Sequence, residues 1–120
     1  MRRGDIVTAA LSGDFGKPRP AVVIQSNQLA DIDSVLLCPI TTTLRDAPLF
    51  RLSVDHNART GLRRPSQIMI EKITAVRWDR IGSTIGSIDE TTLIALDHLL
   101  AFVIGIADRG GAATVDEPSD

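Results

Sequence analysis

DETTLIALDHLLAFVIGIA, from Asp89 to Ala107, is where this chain changes its rhythm. Within it Leu93, Leu96, Leu100, Val103 and Ala107 recur at intervals of three or four residues, the period of an amphipathic helix. Asp89 is a suitable N-cap and Glu90 follows in the first turn, so one C-terminal helix is predicted. Ile94, Leu99, Phe102, Ile104 and Ile106 widen the apolar stripe nearly around that helix. One sheet face does not cover so broad a surface, and a partner subunit is expected on the remainder.

No segment upstream has that period. Asp5 to Leu11, Ala21 to Gln25 and Ser34 to Ile40 are rich in β-branched residues, and LFRLSV (Leu49 to Val54) alternates apolar with polar side chains. Gln67 to Ile70 alternates more weakly, and Ile81 to Ile88 carries a pattern punctuated by glycine. Strands first and one helix last predict a mainly β fold, a small and strongly bent antiparallel sheet or open barrel of five to seven short strands closed by the terminal helix. Long loops are expected at 12–19, 41–48 and 55–66, and function is expected on them.

At 120 residues the chain suits one core. From Arg109 onward the composition turns to RGGAATVDEPSD, with little to bury, so one domain over 1–108 and a flexible tail over 109–120 are expected. The net charge of -2 excludes a protein that coats nucleic acid by bulk charge and leaves room for a local basic patch. The single cysteine, Cys38, has apolar neighbours and no internal disulfide partner; it reads as a buried reduced thiol, which points to the cytoplasm. Gly4, Asp5 and Thr8 interrupt the apolar core that a signal peptide after Arg2 and Arg3 would need. The apolar run Leu99 to Ala107 is well short of the roughly 20 residues that span a bilayer.

The sequence has no CxxC, HExxH, GxGxxG or Walker loop, and its two histidines lie far apart, so neither a metal nor a cofactor is expected. Cations, hydroxyls and carboxylates remain. In GKPRPAVVIQS (Gly16 to Ser26) Arg19 stands between Pro18 and Pro20, which fix the backbone on both sides; it offers a planar, permanently charged fork suited to a phosphate, with Lys17 two residues away. Thr41, Thr42 and Thr43 follow the strand LLCPI, where hydroxyls can donate to a phosphate oxygen. Glu71 closes the apolar run IMI. Read singly, Arg19 and Glu71 serve equally as members of structural ion pairs and the threonines as turn residues.

Together RGDIV, GKPRPAVVIQS, LLCPITTT and SQIMIEKITAVRWDRIG resemble, in order and spacing, the MazF/PemK family of toxin endoribonucleases of toxin-antitoxin systems, over roughly residues 3 to 106. The resemblance implies a PemK/CcdB-like, SH3-like barrel with a C-terminal helix, acting as a homodimer whose grooves receive single-stranded RNA or an antitoxin tail. It places Arg19 on the family's catalytic arginine, Thr41 or its neighbour Thr42 on the threonine associated with activity, and Glu71 where some members carry an acidic catalytic residue. The arginine those members have two positions earlier is Met69 here. Asp14 falls where other members have a loop glutamate and competes with Glu71 as the functional carboxylate; Lys17, Thr42 and Thr43 are further candidates for RNA contact. The activity implied is metal-independent cleavage of mRNA to a 2′,3′-cyclic phosphate and a 5′-hydroxyl. A gyrase poison like CcdB on the same fold is the alternative, although this chain's one tryptophan, Trp78, lies far from its end.

Overall fold

The computed structural model describes residues 1–11, 17–106 and 108, and the tail expected over 109–120 lies outside the described residues. Seven strands, β1 (Asp5–Ala10), β2 (Pro18–Val23), β3 (Ser34–Thr41), β4 (Arg51–Val54), β5 (Ser66–Met69), β6 (Thr74–Arg77) and β7 (Ile81–Ser87), precede one helix, α1 (Glu90–Val103). The fold is mainly β, as the sequence predicts.

All pairings are antiparallel, and the sheet runs β4-β5-β3-β2-β1-β7 with β6 also on β3. β3 is the hinge of the architecture. Its first half pairs with β6, Leu37 opposite Thr74, and its end pairs with β5, Ile40 opposite Ile68. Three residues along β3 thus correspond to six along its neighbour. The excess is the length of the 3-10 turn Ile70–Lys72, so β5 and β6 follow one path beside β3 with a turn inserted.

Successive residues of a strand point to opposite faces, and in the central strands both faces are buried. Ile6, Val22, Cys38, Ile40, Ile68 and Ile70 join Leu96 of α1 in one core, while Val7, Ala9, Ala21, Val23, Val35 and Leu37 form a second on the other side. This accounts for continuous runs such as AVV (Ala21 to Val23) and LCPI (Leu37 to Ile40) in place of clean alternation.

Asp89 caps α1 as expected, its Oδ1 accepting from the Thr92 amide at 2.8 Å. Leu93, Leu100 and Val103 pack on the core beside Leu96, whereas Ile94, Phe102, Ile104 and Ile106 are each about half exposed. The helix ends at Gly105, whose positive φ of 85° suits a left-handed cap. No described helix is long and apolar enough to cross a membrane.

Three expectations change. β2 begins at Pro18, so Arg19 lies within a strand and not at the loop-to-strand junction before it. The segment Gln67 to Ile70 is a strand only to Met69, because Ile70 enters the 3-10 turn. β6 has no counterpart in the periodic reading: it is only four residues long and follows the charged pair Glu71 and Lys72.

Candidate active site

The prolines that frame Arg19 decide where a groove opens. β2 and β3 pair from Val23 opposite Leu37 to Ala21 opposite Pro39, and there the ladder stops. Ile24 donates to the Leu36 carbonyl, so by alternation the next β2 donors towards β3 would be Pro20 and Pro18, and a proline nitrogen carries no hydrogen. Beyond Ala21 the β2 backbone stays with β1 alone, Arg19 opposite Ala9, while the end of β3 turns to β5, Thr41 opposite Gln67. The two strands part.

Between them lies a groove of about 320 Å³ lined by Leu11, Arg19, Pro20, Pro39, Ile40, Thr41, Thr42, Thr43 and Met69. That volume falls in the range of small-ligand sites, roughly 300 to 1,000 Å³. Arg19 is solvent-exposed on one wall. On the other, the Thr41 hydroxyl accepts from the Thr43 amide at 3.0 Å, a turn that fixes the oxygen and leaves its own proton as a donor. A guanidinium across from hydroxyl donors suits a phosphodiester.

The sequence-predicted residues divide into three groups. Arg19, Thr41, Thr42 and Thr43 come together in the groove. Lys17 is exposed immediately before β2 and does not line it. Glu71 also does not line it, and Asp14 lies outside the described residues. Glu71 sits in the 3-10 turn after β5, and its Oε2 accepts from Arg51 Nε at 3.1 Å. The structural ion pair open to Glu71 from sequence is therefore formed.

Arg51 and Gln67 are the residues that sequence reading missed. Arg51 lies opposite Met69 in the β4-β5 ladder, so the two side chains share a sheet face. The cation absent at Met69 is thus present one strand away. Arg51 is only 7 % exposed and Gln67 9 %. Arg51 Nη1 donates to Gln67 Oε1 at 3.3 Å and, at the long end, to the Thr43 carbonyl at 3.5 Å. Gln67 in turn accepts from the Arg45 amide at 3.0 Å and donates to the Arg45 carbonyl at 2.8 Å. The alternation of LFRLSV points Arg51 away from the core, which is why it does not stand out.

Burial pushes the Cys38 thiol up to about 12, with the Glu71 carboxylate adding to the rise and Arg3 opposing it. This thiol is not a nucleophile at neutral pH. Among the described residues no group of three or more His, Cys, Asp and Glu side chains is placed to hold a metal ion.

Residues 2–104 match the family of PemK-like, MazF-like toxins of type II toxin-antitoxin systems. The chain is 41% identical over 108 residues to a probable endoribonuclease MazF of Mycolicibacterium smegmatis, covering 89% of this chain and 99% of that protein. In fold it is similar to the Mycobacterium tuberculosis toxin MazF-mt6, with a TM-score of 0.73 at 24% identity over 84% of this chain and 96% of that one. It is similar also to an endoribonuclease solved with its cognate antitoxin from a mycobacterial species, with a TM-score of 0.73 at 18% identity over 88% and 96% of the two chains. A match across most of the chain, together with a relative 41% identical over nearly its whole length, fixes the affiliation: this protein belongs to the PemK-like, MazF-like toxin family of type II toxin-antitoxin systems.

Proposed function

We propose that this toxin is an endoribonuclease that cleaves single-stranded RNA within the groove between β2 and β3, without a metal ion. The observation that carries the reading is the placement of Arg19 across from Thr41 in one groove. In the reaction a base removes the proton of a ribose 2′-hydroxyl and the freed oxygen attacks the adjacent phosphorus. The bond from phosphorus to the 5′-oxygen then breaks, and that oxygen takes up a proton. The products are a 2′,3′-cyclic phosphate and a 5′-hydroxyl.

Arg19 stabilises the charge that builds on the phosphorane, the role for which a permanently ionised fork is suited. Thr41 orients a non-bridging oxygen, with Thr42 and Thr43 along the strand's path and Lys17 at the approach. The base is Glu71 or Asp14. RNA enters as a single strand, because bases must be splayed for their edges to be read.

The toxin works as a homodimer in the cytoplasm, held inactive by a cognate antitoxin. An acidic, disordered antitoxin segment that folds over Arg19 would exclude RNA both by charge and by shape.

The test is a long unstructured RNA incubated with the protein in EDTA. Cleavage to cyclic-phosphate ends is expected, with Arg19→Ala lowering kcat by about 10² to 10³-fold, the usual loss for one stabilising donor. Strict dependence on added magnesium rejects the reading. Inhibition of gyrase supercoiling with RNA left intact selects the CcdB-like alternative.

A further inference from the structure

The Thr41–Pro48 segment supplies Thr41, Thr42 and Thr43 to one wall of the groove, and nearly all of it is exposed. Holding such a segment in one shape opposes its backbone entropy at every residue, so something outside the loop must hold it. The Phe50 and Arg51 amides hold its far end at the Ala47 carbonyl, and the side-chain anchors among the described residues are the buried Gln67 and Arg51. Gln67 pairs with both backbone groups of Arg45, as a neighbouring strand would. Arg51 fastens Gln67, reaches the Thr43 carbonyl, and is itself tied to Glu71. A buried guanidinium is costly where an apolar side chain would pack as well, and such a charge specifies geometry more than it stabilises. Met69 of the groove lining stands beside it in register, so apolar filling at this site is chemically available.

We infer that Arg51 is the positioning residue of the candidate site. Through Gln67 and the Thr43 carbonyl it sets where the threonine wall stands relative to Arg19, and Glu71 is its outer anchor, acting through Arg51. The inference rests on the proposed RNA cleavage for its kinetic consequence and on the loop's geometry alone for its structural one. A displaced wall misplaces the phosphate, and a shift of about 1 Å is worth about 10²-fold in rate. Ground-state binding, which is spread along the strand, is affected far less.

The experiment uses the double variant Arg51→Met/Glu71→Met in the full chain. Arg51 is buried and Glu71 lies at the surface, and replacing a buried charge together with its partner by apolar side chains leaves no uncompensated charge and is commonly neutral for stability, so the variant keeps its fold while losing the clamp. Expected are a melting temperature close to wild type, kcat lower by about 10²-fold with KM within about threefold, and faster hydrogen exchange at the Arg45 amide. A folded double variant with wild-type kcat and wild-type Arg45 exchange overturns the inference. If the double variant does not fold, Arg51→Lys carries the test, because it keeps the charge near Glu71 but has one nitrogen in place of the fork. Faster Arg45 exchange, with kcat at least tenfold lower, supports the clamp; wild-type values of both overturn it. Glu71→Gln is the control for the catalytic role open to Glu71: it retains an acceptor for Arg51, so Arg45 exchange stays at the wild-type value, and a loss of turnover as large as that of the double variant would assign the loss to a missing base and overturn the kinetic half of the inference. If wild-type protein cleaves no RNA, the proposed function fails while Arg45 exchange still decides the clamp.

Discussion

Arg3 and Asp97 join the two ends of the fold: Arg3 Nη1 lies 2.7 Å from Asp97 Oδ1 on α1, while its Nε donates to the Ile24 carbonyl at 2.8 Å. One guanidinium therefore links the approach to β1, the exit of β2 and the middle of the helix. It crosses an apolar hollow of about 390 Å³ whose walls include Ile24, Leu36, Ile73, Leu100 and Ile104.

The two partners of Arg3 are not equal in worth. The Asp97 side chain is half exposed, and a screened pair of this kind contributes at most about 1 kcal/mol. The Ile24 carbonyl, if left bare, costs about 1 to 3 kcal/mol. Arg3→Met is therefore expected to lower unfolding free energy more than Asp97→Asn does, with the difference read from urea denaturation. Equal losses would show that the ion pair dominates.

Ile94 and Phe102 of α1 and Ile104 and Ile106 just beyond its end are exposed apolar side chains, of the kind that partners cover. Light scattering at micromolar concentration is expected to give a dimer. Ile104→Glu should shift the population towards monomer without loss of secondary structure. A wild-type monomer at that concentration removes the dimer.

The Thr92 hydrogen bonds hold the Asp89 carboxyl below its ordinary value, partial desolvation works against them, and Arg59 adds a smaller favourable charge. Because the folded state prefers the ionised form, this cap's stabilisation is present above the unfolded pKa and is lost as pH falls through the folded one. Asp89→Asn keeps a capping oxygen and removes that titration. Its melting temperature should differ from wild type near pH 7, and the gap should narrow as pH falls below the ordinary carboxylate range and the wild-type cap takes up its proton. A gap that widens on acidification would contradict the assignment.

Much of this fold can be read along the chain, and the reason lies in which information is local. Asp89 and the leucines after it state the helix by themselves, since a cap and a 3.6-residue period need no distant partner. β6 does not state itself. It exists because the first half of β3 has a free side, with Val35 opposite Val76, and that vacancy is tertiary. The groove shows the same division. Arg19 and the threonines stand out by chemistry, whereas Arg51 sits at a polar position of an alternating strand and gains its meaning from Gln67 and Glu71, which are distant in sequence.

Cys38 is expected to resist alkylation in the folded protein at pH 8 and to react at once in denaturant. Its thiol, raised to about 12, stays protonated well past the 9.0 of an unburied group. The folded state then holds a proton that the unfolded state releases, so the thiol's contribution to stability is intact below about pH 9 and declines as pH rises towards 12. Mass spectrometry after timed labelling checks the first point. Rapid native labelling would show that the strand around it opens locally.

Pro18 and Pro20 give the groove an unusual kind of permanence. The seam needs neither a wedge nor a repelling charge to stay open, because the hydrogens that would stitch it are missing from the covalent structure. A wedge can be trimmed by a single change in size, but an absent atom has nothing to trim. Side chains around the mouth can therefore be exchanged while the cleft itself stays open.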